Sequence, residues 1–68
     1  MNDDYPHYTL SEKTPNENDV IIAWKGEKRD QVILINGNLH CWRYKTTPDI
    51  FCKLDEITKW RGCYGFDY

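Results

Sequence analysis

Long apolar runs are missing from this sequence. The longest is Val20-Ile21-Ile22-Ala23-Trp24, far short of the roughly 18 residues a membrane-crossing helix needs. Close cysteine pairs are missing as well. Cys41, Cys52 and Cys63 stand eleven residues apart, whereas a structural zinc site usually draws two ligands from one turn. An odd number of thiols behind the acidic, polar opening Met1-Asn2-Asp3-Asp4 predicts reduced cysteines in a cytoplasmic protein without a signal peptide. No glycine-rich phosphate loop, no H-E-x-x-H and no nucleophile motif is present. The only histidines are His7 and His40. His40 adjoins Cys41, and neighbours in sequence are poorly placed for a base to activate a thiol across a cleft. Asp55-Glu56 is the one adjacent carboxylate pair in the body of the chain, and it reads as a solvated turn. With 68 residues there is little room for a ligand pocket of roughly 300 Å³. These absences predict a protein that is not an enzyme and carries no cofactor or metal.

A dominant charge is lacking too. Nine bases against eleven acids leave a net charge of −2. Residues 1–19 hold Asp3, Asp4, Glu12, Glu17 and Asp19 against Lys13 alone, a net of −4, and residues 20–68 are +2. Neutralisation of phosphates supplies much of the affinity of duplex-binding domains. Without a basic stripe, double-stranded DNA is not an expected partner. The length admits one small domain. It divides into an acidic extended lead-in (1–19), a core (20–60) and an aromatic tail (61–68).

Aromatic residues are abundant, at 15% of the chain. Asp19 to Trp24 reads as a strand, and Lys25 to Asp30 as a charged turn. Gln31-Val32-Ile33-Leu34-Ile35 is a second strand, Asn36-Gly37 a strong hairpin turn, and Leu39 to Tyr44 the returning strand. A two-residue loop pairs Leu34 with Leu39, Val32 with Cys41 and Asp30 with Arg43. The opposite face then carries Ile33, Ile35, His40, Trp42 and Tyr44. Both faces are apolar, so either both are covered or one is open to a partner.

Residues 48–60 admit two readings. Thr47 as N-cap, Pro48 in the first turn and Gly62 beyond the end favour a helix. Ile50, Phe51, Leu54 and Ile57 then share one face. Alternatively, Ile50–Leu54 and Glu56–Trp60 are strands with a turn near Leu54-Asp55. Local signals lean to the helix.

Two stretches resemble a known family. Leu10-Ser11-Glu12-Lys13-Thr14-Pro15 followed by Val20-Ile21-Ile22 is similar to an opening V-S-E-x-L-P…V-L-V, and Ile57-Thr58-Lys59-Trp60 to a closing V-T-x-W. Both belong to a small domain of phage and prophage genomes, number 551 among the domains of unknown function. The chain departs from it where His7 or Tyr8 replaces a tryptophan, and where Arg61 to Tyr68 replaces a proline-rich tail. The resemblance implies a mainly β domain with Ile57–Trp60 as a strand and a phage-type origin. It implies no activity and no catalytic residues. The fold expectation follows it: a small antiparallel sheet or partly open SH3-like barrel of about four or five strands. The alternative is an α+β fold with a helix at 48–60 on a three-stranded sheet.

Trp, Tyr and Arg are enriched in binding hot spots. Trp42, Arg43, Tyr44, Trp60, Arg61, Tyr64, Phe66 and Tyr68 are therefore the candidate partner-binding residues. The acidic arm of Asp3, Asp4, Glu12, Glu17 and Asp19 is a candidate mimic of nucleic-acid charge. The expected function is a phage-type accessory protein that binds and modulates a host protein or complex, inhibition of a host nuclease or defence complex being one form. Two alternatives are a single-strand-binding barrel that stacks bases on Trp42 and Tyr44 beside Arg43, and a structural phage component. No membrane partner is expected, and a homodimer is compatible with the composition.

Overall fold

The structure is a computed structural model that describes residues 5–43 and 49–63. Five strands form one antiparallel sheet: β1 (Val20–Lys25), β2 (Lys28–Ile35), β3 (Asn38–Cys41), β4 (Ile50–Lys53) and β5 (Lys59–Gly62). Their spatial order is β4-β3-β2-β1-β5. The first and last strands thus lie side by side in one open sheet, within the small antiparallel sheet of four or five strands expected from the sequence. A single 3-10 turn, Leu54–Glu56, links β4 to β5, and no helix of the described residues is long and apolar enough to cross a membrane.

Turn chemistry sets the registers. Asn36 and Gly37 have φ of 49° and 78°, the paired positive values a tight two-residue hairpin needs. Val32 consequently faces Cys41, and Leu34 faces Leu39, as the sequence predicts. The β1–β2 turn is shorter than expected. Gly26, at φ 63°, and Glu27 complete it, so Lys28, Arg29 and Asp30 are strand residues rather than turn residues. Lys25 pairs with Lys28, and Trp24 with Arg29.

Strict alternation then sorts the side chains. Ile21, Ala23, Val32, Leu34, Leu39, Cys52, Ile57 and Trp60 form the buried core on one face, with Tyr8, Leu10, Phe51 and Leu54 packed against it. In the β3–β4 ladder Leu39 pairs with Cys52 and His40 with Ile50, leaving Phe51 as the extra residue of a bulge. Such a bulge re-aims a side chain, and here Phe51 joins Cys52 against the core.

The helix alternative for residues 48–60 is not what forms. Pairing overrides local propensity: β4 completes the ladder beside β3, and β5 completes the one beside β1. Glu56 closes the link, its Oε1 accepting the Lys53 amide at 2.9 Å. Ile50, which the helix would bury, is instead 62% exposed.

The lead-in is ordered where it is described. The Asn18 amide donates to the Leu34 carbonyl at 2.7 Å, and the Leu34 amide to the Asp19 carbonyl at 3.1 Å. Tyr8 and Trp60 exchange two backbone hydrogen bonds of 2.8 and 2.9 Å, so the lead-in covers the outer edge of β5.

A domain of this length holds roughly 3–10 kcal/mol of stability. Leu39→Ala should remove about 2–5 kcal/mol of it, because Leu39 is fully enclosed. Ile50→Ala should change stability by less than about 0.5 kcal/mol. Urea midpoints of the two variants check this, and equal midpoints would contradict a core placed on this face.

Candidate functional site

The face opposite the core carries a different chemistry. Register aligns its residues in rows across the strands. Lys59, Trp24 and Arg29 form one row, and Arg61, Ile22 and Gln31 the next. Val20, Ile33, His40 and Ile50 form a third. The Lys59 ammonium lies 4.6 Å from the centre of the Trp24 ring, and the Arg29 guanidinium 5.3 Å. His7, from the lead-in, places its ring 4.8 Å from that indole. Its Nε2 is buried with no hydrogen-bond partner among the described residues. Every ionisable side chain in these rows is a base, although the chain as a whole is acidic.

Part of this face is covered. Ile22 is 2% exposed and Arg61 is fully buried. The Arg61 guanidinium lies over the Tyr5 ring, 5.7 Å from its centre, and its Nη1 donates to the Gly62 carbonyl at 2.9 Å. The remainder is half-buried or open: Val20, Trp24, Ile33, Ile35, His40 and Trp42 are partly exposed, and Ile50 is exposed. Both outcomes allowed by the two-sided apolar pattern therefore occur, on different rows.

The expected partner-binding residues are scattered. Trp60, 4% exposed, belongs to the core, and its indole N–H donates to the Lys13 carbonyl at 2.9 Å. Trp60 and Arg61 are interior residues here, not exposed anchors, because alternation along β5 sends Trp60 inward and Arg61 under the lead-in. Trp42 continues the β2–β3 ladder, its amide donating to the Gln31 carbonyl at 2.9 Å. Arg43 turns to the other side, where its Nη2 meets Asp30 at 2.7 Å. Tyr44, Tyr64, Phe66, Tyr68, Asp3 and Asp4 lie outside the described residues.

Two of the remaining acidic-arm residues, Glu12 and Asp19, serve turns of their own segment. Glu12 accepts from the Thr9 amide at 2.9 Å, and Asp19 from the Asn16 amide at 3.0 Å. Glu17 accepts from the Asn36 amide at 2.9 Å, which ties the lead-in to the central hairpin. Sequence reasoning passed over Trp24, Arg29, Lys59 and His7. Parity along β1 could have placed Trp24 beside Ile22, but nothing local announces that β5 and the lead-in come alongside.

Two of the thiols, Cys41 and Cys52, are shifted towards the protonated form. Burial, followed by the hydrogen bond to Asp30, pushes Cys41 above its ordinary value, and its Sγ lies 3.4 Å from that carboxylate. Burial also raises Cys52. Among the described residues, no group of three or more His, Cys, Asp or Glu side chains is placed to hold a metal ion.

These shifts fix how stability varies with pH. Cys41 and Cys52 keep their protons to higher pH in the folded chain than in the unfolded one. Their contribution is complete below the ordinary thiol value and is lost as pH rises through the raised ones. Hydrogen bonds from the Thr9 amide lower Glu12, and one from the Lys53 amide lowers Glu56. That contribution is present above the ordinary carboxylate value and is lost as pH falls through the lowered ones. Urea midpoints should therefore form a plateau around neutrality and fall on both sides. A midpoint that keeps rising past the thiol range would contradict this. Compared with known proteins, the chain matches no family model, no curated protein and no solved structure.

Proposed function

We propose that this chain is a small non-enzymatic, phage-type accessory protein that binds and modulates a host protein, with the outer face of its sheet as the contact surface. The observation that carries this reading is the division of the sheet. One face is consumed by the core, while the other offers partly exposed Trp24, Trp42, Val20 and Ile33 beside the exposed Ile50. Apolar and aromatic groups gathered on one face, with the bases Lys59 and Arg29 beside Trp24, suit a protein partner. The phage-type origin rests on the resemblance of Leu10–Pro15 and Ile57–Trp60 to the phage-genome domain. Inhibition of a host nuclease or defence complex is one form such modulation takes. The single-strand-binding alternative draws less support, since Trp42 and Arg43 face opposite sides of the sheet and Tyr44 lies outside the described residues.

The test compares the full chain with Ile50→Asp, a substitution at an exposed position that leaves the core intact. Each is immobilised and exposed to bacterial host lysate. A stoichiometric protein partner, retained by the natural chain and held at least about tenfold more weakly by the variant, is the expected result. Equal retention by both would move the contact surface elsewhere. Tight oligonucleotide binding with steep salt dependence, and no protein partner, would contradict the reading.

A further inference from the structure

The tip of the β2–β3 hairpin holds a reactive pair that the contact surface does not use. Asn36 and Gly37 are both exposed, and they take φ of 49° and 78° in the turn. A glycine after an asparagine puts no side chain in the way when its backbone nitrogen approaches the asparagine side-chain carbonyl. The surroundings leave that approach open as well. A Cβ built on Gly37 would meet nothing within 4 Å. Among the described residues, the Asn36 side-chain amide and the Gly37 N–H take part in no hydrogen bond.

The other described asparagines are better guarded. Asn18 is followed by Asp19, whose amide donates to the Asn16 carbonyl at 3.0 Å. Asn16 is followed by Glu17, which carries a side chain where Gly37 has none. Asn38 is followed by Leu39, which is fully enclosed and paired on both sides in the ladders. Three parts of the chain also meet at the hairpin tip. Glu17 of the lead-in accepts the Asn36 amide through both carboxylate oxygens, at 2.9 and 3.2 Å. Leu54 of the β4–β5 link donates its amide to the Gly37 carbonyl at 2.9 Å. A chemical change at this tip therefore reaches both the lead-in and the link.

We infer that Asn36 is a site of spontaneous deamidation, and that the product loosens the lead-in and the β4–β5 link from the hairpin. The Gly37 nitrogen attacks the Asn36 side-chain carbonyl carbon. One C–N bond forms there and the bond to the side-chain nitrogen breaks. Ammonia leaves with the proton that Gly37 gives up, and a five-membered succinimide remains. Water then opens the ring at one of its two carbonyls, giving aspartate or isoaspartate at position 36. Ring closure takes place when the turn opens, and a hairpin tip lies at the low end of local opening free energies. Aspartate sets a second carboxylate beside that of Glu17, where like charges repel. Isoaspartate routes the backbone through the side chain. The added methylene lengthens the two-residue turn that sets Val32 against Cys41.

The experiment warms the folded, ¹⁵N-labelled full chain at mildly alkaline pH beside a sample unfolded in urea. Peptide mass maps follow the replacement of amide by acid at each asparagine. In the folded chain Asn36 should convert at least about tenfold faster than Asn16, Asn18 and Asn38, into two products of equal mass. Asn36→Gly should keep the turn, since glycine takes positive φ freely, and should show no conversion at the tip. In the aged chain the Asn36 and Leu54 amides should shift while those of Ile21 and Ala23 stay in place. Asn36→Asp should lower the urea midpoint, and by less in a chain that also carries Glu17→Gln. Conversion of Asn36 no faster than that of the other three, or conversion in the unfolded sample alone, would overturn the site. An Asn36→Asp midpoint equal to that of the natural chain, or a drop unchanged by Glu17→Gln, would overturn the coupling to the lead-in.

Discussion

Trp60 is where three parts of the chain are joined. Its ring fills the core and packs against the Tyr8 ring at 5.3 Å. Its indole N–H reaches the Lys13 carbonyl, and its backbone exchanges two hydrogen bonds with Tyr8. A chain this short buries only about 60% of the surface its unfolded form exposes, so one large side chain tied at several points carries much of the closure. Those ties bring Tyr5 over Arg61 and His7 against Trp24. The outer face therefore owes part of its shape to a residue on the inner one.

The sheet separates stability from recognition. Along β1, Ile21 and Ala23 enter the core while Ile22 and Trp24 face outward, and β2 alternates Val32 and Leu34 with Ile33 and Ile35 in the same way. Substitutions on the inner set change the core, whereas those on the outer set change what the surface offers. Nothing in the core demands that Trp24 stand between two cations or that Ile50 remain exposed. These outward choices are the ones the proposed binding function explains.

Short-range signals were read well from the sequence because their physics is local. Asn36-Gly37 dictates a two-residue turn, and the facing of Val32 with Cys41 follows from parity alone. Residues 50–62 were harder. Thr47, Pro48 and Gly62 supply helix-end signals, and only the ladders with β1 and β3 outweigh them. Here the family resemblance implied a strand at Ile57–Trp60, of which Lys59 and Trp60 lie in β5, which runs on to Gly62. Lys28-Arg29-Asp30 reads as a turn until Gly26 is seen to complete it. The candidate site was the least legible part. Trp24, Lys59 and His7 meet only when the last strand and the lead-in are laid against β1, a non-local event with no spacing signature. Hot-spot composition favoured Trp60 and Arg61 instead, and composition does not reveal which way a strand residue points.

Native-state amide hydrogen exchange tests the clasp at Trp60 most directly. The Tyr8 amide lies in the lead-in, yet its hydrogen bond to the Trp60 carbonyl should protect it together with the Trp60 amide and the β1 amides as one cooperative unit. Protection of Tyr8 within the range of the β1–β5 ladder is the predicted result. Exchange of Tyr8 at the rate of an unstructured peptide, while β1 and β2 remain protected, would show that the lead-in does not close the sheet and that the outer face lacks the shape assigned to it.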